Sequence, residues 1–119
     1  MTGRYLLDEH LPVWWPRAIV KRHPSLTVWC IGDVGVPPRG TADPLILEWC
    51  EVNGFLLVTD NRASLPGHLA DHLARGRHVA GILTIHRTIP IRVLADDLAT
   101  LAGAGLPGDF DDQIRHLPL

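Results

Sequence analysis

Lysine is almost missing from this sequence: Lys21 is the only one, and every other basic residue is an arginine. There is no basic surplus either, since eleven basic residues face thirteen acidic ones for a net charge of -2. Bulk electrostatic capture of nucleic acid is therefore excluded, and any such contact must come from a local patch. Cysteine is limited to Cys30 and Cys50, both in apolar surroundings and without C-x-x-C spacing, which argues against a zinc ribbon and for buried free thiols in a reducing compartment. No apolar run approaches the ~20 residues of a membrane span, and Arg4 to Glu9 offers no signal-peptide pattern, so a cytoplasmic protein without membrane contact is expected. Repeats and low-complexity segments are absent as well.

What remains is a chain of 119 residues, 46% hydrophobic and 20% charged, the profile of a single folded domain over residues 1–119 with its own core. Short apolar runs at Arg4–Leu7, Leu26–Ile31, Phe55–Thr59 and Val79–Ile85 are bounded by Gly, Pro, Asp or Asn and read as strands buried on both faces. Between them apolar residues recur at helical spacing: Leu11, Trp14, Trp15, Ala18 and Ile19; Leu45, Ile46, Trp49 and Val52; Leu65, Leu69 and Leu73; Ile91, Leu94, Leu98 and Leu101. Asp43-Pro44 reads as an N-cap followed by proline at the first helical position, Gly54 as the end of that helix, and Gly76 and Gly103 as ends of the next two. Residues 113–117 could add an edge strand. This alternation predicts a three-layer α/β/α domain with a mainly parallel central sheet.

Ligands of open parallel sheets bind beyond the carboxyl ends of the strands, and acidic residues leave three of the predicted strands: Asp8-Glu9, Asp33 and Asp60-Asn61, with Asp43 at a helix start. Carboxylates gathered at one edge repel unless a divalent cation neutralises them, and hard oxygen ligands suit Mg²⁺ or Mn²⁺. Each also has a plain structural explanation: helix starts for Asp8-Glu9, capping for Asp43, a turn for Asp60-Asn61. A phosphoacceptor receiver would fit Asp8-Glu9, Asp60 and Thr84, but it requires a lysine after its fifth strand, and Lys21 lies early in the chain.

His68 and His72, four apart with Asp71 between, share a helix face in an order similar to the zinc motif H-x-x-E-H. Asp stands in place of Glu and spacing offers no third ligand, so the two histidines are expected half-exposed beside the leucine stripe. Arg62, Arg75, Arg77 and His78 could grip phosphates, although cations at a helix end explain Arg75 and Arg77 equally well. The acidic run Asp109, Asp111 and Asp112 reads as a solvated loop. One of the adjacent Trp14 and Trp15 would point away from the face the other buries and mark a homodimer or partner surface, unless both pack beneath neighbouring loops.

Three stretches together resemble a known family. Arg4-Tyr5-Leu6-Leu7-Asp8-Glu9-His10-Leu11-Pro12, then Gly40-Thr41-Ala42-Asp43-Pro44-Leu45-Ile46-Leu47-Glu48-Trp49, then Phe55-Leu56-Leu57-Val58-Thr59-Asp60-Asn61-Arg62 are similar, in order and spacing, to motifs of bacterial PIN-like domains related to VapC-type toxin ribonucleases. The resemblance implies a PIN-like fold and a carboxylate cluster holding Mg²⁺ or Mn²⁺. It also implies cleavage of single-stranded RNA restrained by a cognate antitoxin. Carried over by position, Asp8 is the central metal ligand and Asp43 the second, with Glu9 and Glu48 as weaker candidates. Aligned on Thr59, the family's third metal Asp falls at Asn61, while Asp60 sits one place early and Ala63-Ser64 replace the following Asp-Phe. The expected site is thus Asp8, Asp43 and Asp60 or Asn61 around the metal, with Arg62 and Arg77 on the phosphate. The alternative is a catalytically degenerate PIN-like module that acts by binding protein or RNA.

Overall fold

Five strands and four helices alternate along residues 3–104 and 108–119, which the computed structural model describes. The strands are β1 (Arg4–Leu7), β2 (Thr27–Cys30), β3 (Leu56–Thr59), β4 (Ile82–Thr84) and β5 (Ile114–His116). They form one sheet in the order β2-β1-β3-β4-β5, every neighbouring pair parallel. The helices are α1 (Trp15–Arg22), α2 (Asp43–Asn53), α3 (Leu65–Ala74) and α4 (Ile91–Ala104). The three-layer α/β/α domain read from the sequence is what the chain forms.

The central strands explain why the sheet reads so clearly in the sequence. Every residue of β3 is buried, and in β1 only Arg4 is partly exposed. Alternate side chains enter opposite cores, as the pleat requires. Tyr5, Leu7, Leu56, Val58 and Leu83 pack beneath α1 and α4. Leu6, Phe55, Leu57 and Ile82 pack beneath α2 and α3. Tyr5 also donates its hydroxyl to the Leu98 carbonyl at 2.7 Å, pinning α4 to the first strand. Arg4 fits this apolar strand because its guanidinium lies 4.5 Å from the centre of the Phe55 ring, which Trp29 and Trp49 flank at 5.0 Å each.

α4 shares its face with α1, yet it leads towards the opposite edge of the sheet. The β4–α4–β5 crossover therefore has the hand opposite to the other three, which agree with one another. The chain returns to β5 through a connection that passes against Gly81, where a Cβ would come within 3.0 Å of the Phe110 backbone oxygen. Here glycine is required on both counts, since its φ is also +142°.

Several local expectations are corrected. The N-cap of α2 is Ala42, not Asp43, and no side chain caps that end; Asp43 and Pro44 are its first two residues. α1 begins only at Trp15, with Leu11 buried in the turns before it. Gly54 does close α2 in a left-handed conformation, its amide donating to the Cys50 carbonyl at 2.8 Å, whereas Gly103 lies inside the last turn of α4. Cys30 and Cys50 are free and buried. Trp15 is core and Trp14 is 55% exposed, which resolves the pair. No helix among the described residues is long and apolar enough to cross a membrane.

Candidate active site

β1 and β3 are neighbours, but the chain leaves them in opposite directions, towards β2 and towards β4. Such a switch point opens a crevice at the carboxyl ends of the two strands. Asp8 and Asp60 are the first residues beyond those ends, and α2 brings Asp43 to the same place by its N-terminus.

Asp8 is held firmly. Its amide donates to the Val58 carbonyl at 2.9 Å, which extends the β1–β3 ladder by one residue. Its side chain is buried, with Oδ2 accepting the Thr59 hydroxyl at 2.8 Å and Oδ1 accepting the Glu9 amide at 2.8 Å. The remaining lone pairs of a carboxylate so placed are available to a ligand. Thr59 is fully buried, and its Oγ1 also accepts the Asn61 amide at 3.1 Å.

Asp43 faces this group. Its Oδ2 lies 3.4 Å from Asn61 Nδ2 and 3.6 Å from His68 Nε2. Burial and, after it, the charge of Asp8 push the Asp43 carboxyl above the ordinary aspartate range, with His68 opposing them. The Asp8 charge thus adds to the cost of ionising Asp43. Asp8 lacks the helix-start role open to it from sequence, since α1 starts well beyond it, whereas Asp43 caps nothing but lies in the first turn of α2, where the helix dipole favours an acid.

The other expected site residues divide. Glu9 is near, but both its oxygens accept the Gly40 amide, at 3.0 and 3.1 Å, with Arg39 Nε at 3.9 Å. It clasps the loop before α2 and acts on Asp43 by charge. Asn61, not Asp60, turns towards Asp43; its Oδ1 accepts the Ser64 amide and its Nδ2 donates to Ser64 Oγ at 2.7 Å. Asp60 meets Arg87 Nε at 3.8 Å instead. Successive residues leaving a strand point to opposite sides, so the one-place offset decides which of them joins the cluster. Asp33 accepts the Cys30 amide at 2.9 Å and closes a turn. Arg62, Arg39, Arg87 and His10 are exposed, with Arg39 turned to Glu9 and Arg87 to Asp60 beside the crevice.

Arg77 is not part of it. α3 carries the chain about 15 Å away from the crevice, and at the opposite edge of the sheet Arg77 bridges Glu48 at 3.5 Å and Glu51 at 3.1 Å. Glu48, also within 3.7 Å of Arg75, is likewise committed there. Partial burial alone would raise the Glu51 carboxyl, but hydrogen bonds from Arg77 and its neighbours outweigh it and hold the group below its usual range. His72 is fully buried rather than half-exposed, with Nε2 at 2.9 Å from Glu51 Oε1 and 3.0 Å from the His78 carbonyl. Two acceptors facing Nε2 require it to carry the proton. Asp112 receives the Val79 amide at 2.9 Å and His78 Nδ1 at 2.7 Å, so it is a tie rather than a solvated loop residue.

Thr59 and His68 were not assigned roles at this crevice from the sequence. A threonine that ends an apolar strand looks like β-propensity, and only its burial beside an acid betrays it. The receiver alternative shares this strand order, but Lys21 lies on α1 beside β2, across the sheet from β5. No family model, curated protein or solved structure matches the chain.

Proposed function

We propose that the chain is a PIN-like, divalent-metal-dependent ribonuclease acting on single-stranded RNA, and the toxin of a toxin–antitoxin pair. The observation that carries the reading is the convergence of Asp8 and Asp43 at the switch point, where burial and then the charge of Asp8 push the Asp43 carboxyl up. The three-part sequence resemblance supplies the reaction class.

The donor set fits Mg²⁺ or Mn²⁺ by its chemistry. Among the described residues no group of three or more His, Cys, Asp or Glu ligands is assembled. Mg²⁺ commonly binds through one or two carboxylates, with water and substrate phosphate completing its shell. Asp8 and Asp43 would hold it. Bound there, the cation would supply an activated water and neutralise charge developing on the phosphate. Thr59 and the Glu9 amide aim the Asp8 carboxylate, and Asn61 and His68 flank Asp43. Arg62, with Arg39 and Arg87 beside the crevice, would meet phosphate oxygens through their guanidinium groups.

One observation favours the second reading, a degenerate module that binds protein or RNA. Asn61 stands where the family carries a charged ligand, and its Oδ1 is already occupied by the Ser64 amide. The experiment that separates the two is cleavage of single-stranded RNA by purified protein with Mg²⁺ or Mn²⁺, alongside Asp8→Ala. Metal-dependent cleavage lost in the variant supports the enzyme. No cleavage with either metal, with no Mn²⁺ binding by calorimetry and a stable protein complex, establishes the module. A short neighbouring gene for a DNA-binding antitoxin, whose product suppresses growth arrest caused by this chain, would support the toxin assignment.

A further inference from the structure

A groove of about 920 Å³ runs along α1 and the outer edge of β2. That volume is near the upper end of the ~300–1,000 Å³ typical of ligand clefts. Its floor is apolar, with Val20 and Val28, the exposed Val13 lies beside it, and its wall carries Trp14, the N-cap residue of α1, with Arg17 and Lys21 from the helix itself. These three stand at i, i+3 and i+7, one face of the helix across two turns. Arg17 and Lys21 have no ion-pair partner among the described residues, in contrast to Arg22 on the same helix, which is paired with Asp96 at 2.7 Å. Trp14 is held edge-on by the buried Trp15, ring centres 6.3 Å apart and planes at 85°. Its indole is therefore presented at small entropic cost.

The groove ends one strand away from the crevice. Cys30, at its upper end, is the register partner of Leu7, the residue before Asp8. We propose that this groove binds the single-stranded RNA flanking the cleaved phosphodiester, with a base stacked on Trp14 and phosphates held by Arg17 and Lys21. An oriented aromatic beside unpaired cations over an apolar floor is the combination that single-strand binders use. The single carboxylate in the groove, Asp33, accepts the Cys30 amide at 2.9 Å. That bond also blocks an outward donor of the edge strand, which disfavours a partner protein adding a strand there. The proposal deepens the ribonuclease reading and names the path of its substrate.

The test uses the full chain and a fluorescein-labelled single-stranded RNA of mixed sequence. Affinity is measured by anisotropy in EDTA, and cleavage in Mg²⁺ or Mn²⁺. Trp14→Ala should weaken binding about tenfold. Arg17→Ala with Lys21→Ala should weaken it similarly and flatten the salt dependence by roughly 1.4 in log K against log salt, two phosphates' worth. The KM for RNA should rise by like factors. All three side chains lie at the surface of α1, so circular dichroism should show intact folds. If wild type cleaves RNA and both variants match it in affinity, salt slope and KM, the groove assignment fails while the ribonuclease reading stands. If the wild type binds RNA through these residues but never cleaves, the groove stands and the ribonuclease reading falls. If instead sedimentation shows that Trp14→Ala dissociates a dimer of the wild type while RNA affinity is unchanged, the groove is a protein interface and the proposal is overturned.

Discussion

The two edges of the sheet each gather charged side chains, and they differ in how the charge is settled. At the amino-terminal edge Glu48, Glu51, Arg75, Arg77, His72, His78 and Asp112 interlock, each acid facing at least one basic partner. At the carboxyl edge Asp8 and Asp43 are neighbours, the nearest arginines are turned to Glu9 and Asp60, and Asp43 meets only His68, at 3.6 Å, among the described basic groups. Balanced clusters of this kind tie elements together, whereas a like-charge pair drawn partly out of water marks a candidate functional site. Composition cannot separate the two cases, because both draw on the same residue types.

That contrast can be broken by substitution. The largest effect is expected at Asp8→Ala, which should lower RNA cleavage by on the order of 100-fold or more while the chain stays folded, measured with saturating Mn²⁺. His72→Ala should do the reverse: about 2–4 kcal/mol of stability lost in urea unfolding, from the cavity and the stranded His78 carbonyl, with cleavage unchanged below the unfolding transition. Loss of cleavage in a folded His72→Ala protein would show that the two edges are coupled. Thr59→Val keeps the shape but removes the hydroxyl that aims Asp8, and should weaken Mn²⁺ binding by roughly 10-fold, as supporting partners of metal ligands do. Arg77→Ala should cost about 1 kcal/mol or less, since its partners are partly solvated, and leave RNA KM unaltered. A rise in KM would return Arg77 to the substrate.

Asp43→Asn sharpens the comparison most finely. The folded carboxyl titrates above its unfolded value, so ionised Asp43 weakens the fold at neutral pH. That penalty is complete above the raised value and vanishes as pH falls below the ordinary aspartate range. The variant should therefore melt slightly higher than wild type at pH 7 and show no advantage near pH 3. Mn²⁺ binding should fall at the same time. A variant that melts lower at pH 7 would mean that Asp43 is a structural tie after all.

Much of the architecture was legible because strands buried on both faces must read as apolar runs; Leu56-Leu57-Val58 has no other purpose. β5 was fainter, since an edge strand such as Ile114-Arg115-His116 has little to bury. The site was legible in its carboxylates but not in its arrangement. Helix α2 starts one residue earlier than Asp43-Pro44 suggests, and that single place turns Asp43 from a cap into a member of the crevice. Arg77 misled for a related reason. It follows Asp60 closely in the chain, but an intervening helix separates them by its whole length.

The crossover through α4 has a consequence for the order of assembly. α2, β3, α3 and β4 follow one another directly, so their core closes through short loops. The opposite core depends on α1 meeting α4, and its Tyr5–Leu98 bond spans 93 residues. Loop-closure entropy delays such contacts. The half of the molecule that supplies Asp43 and Asn61 can thus condense early, while the strand that supplies Asp8 is locked from its other side only when the last helix arrives. The meeting of Asp8 with Asp43 would then be among the final things the folding chain completes.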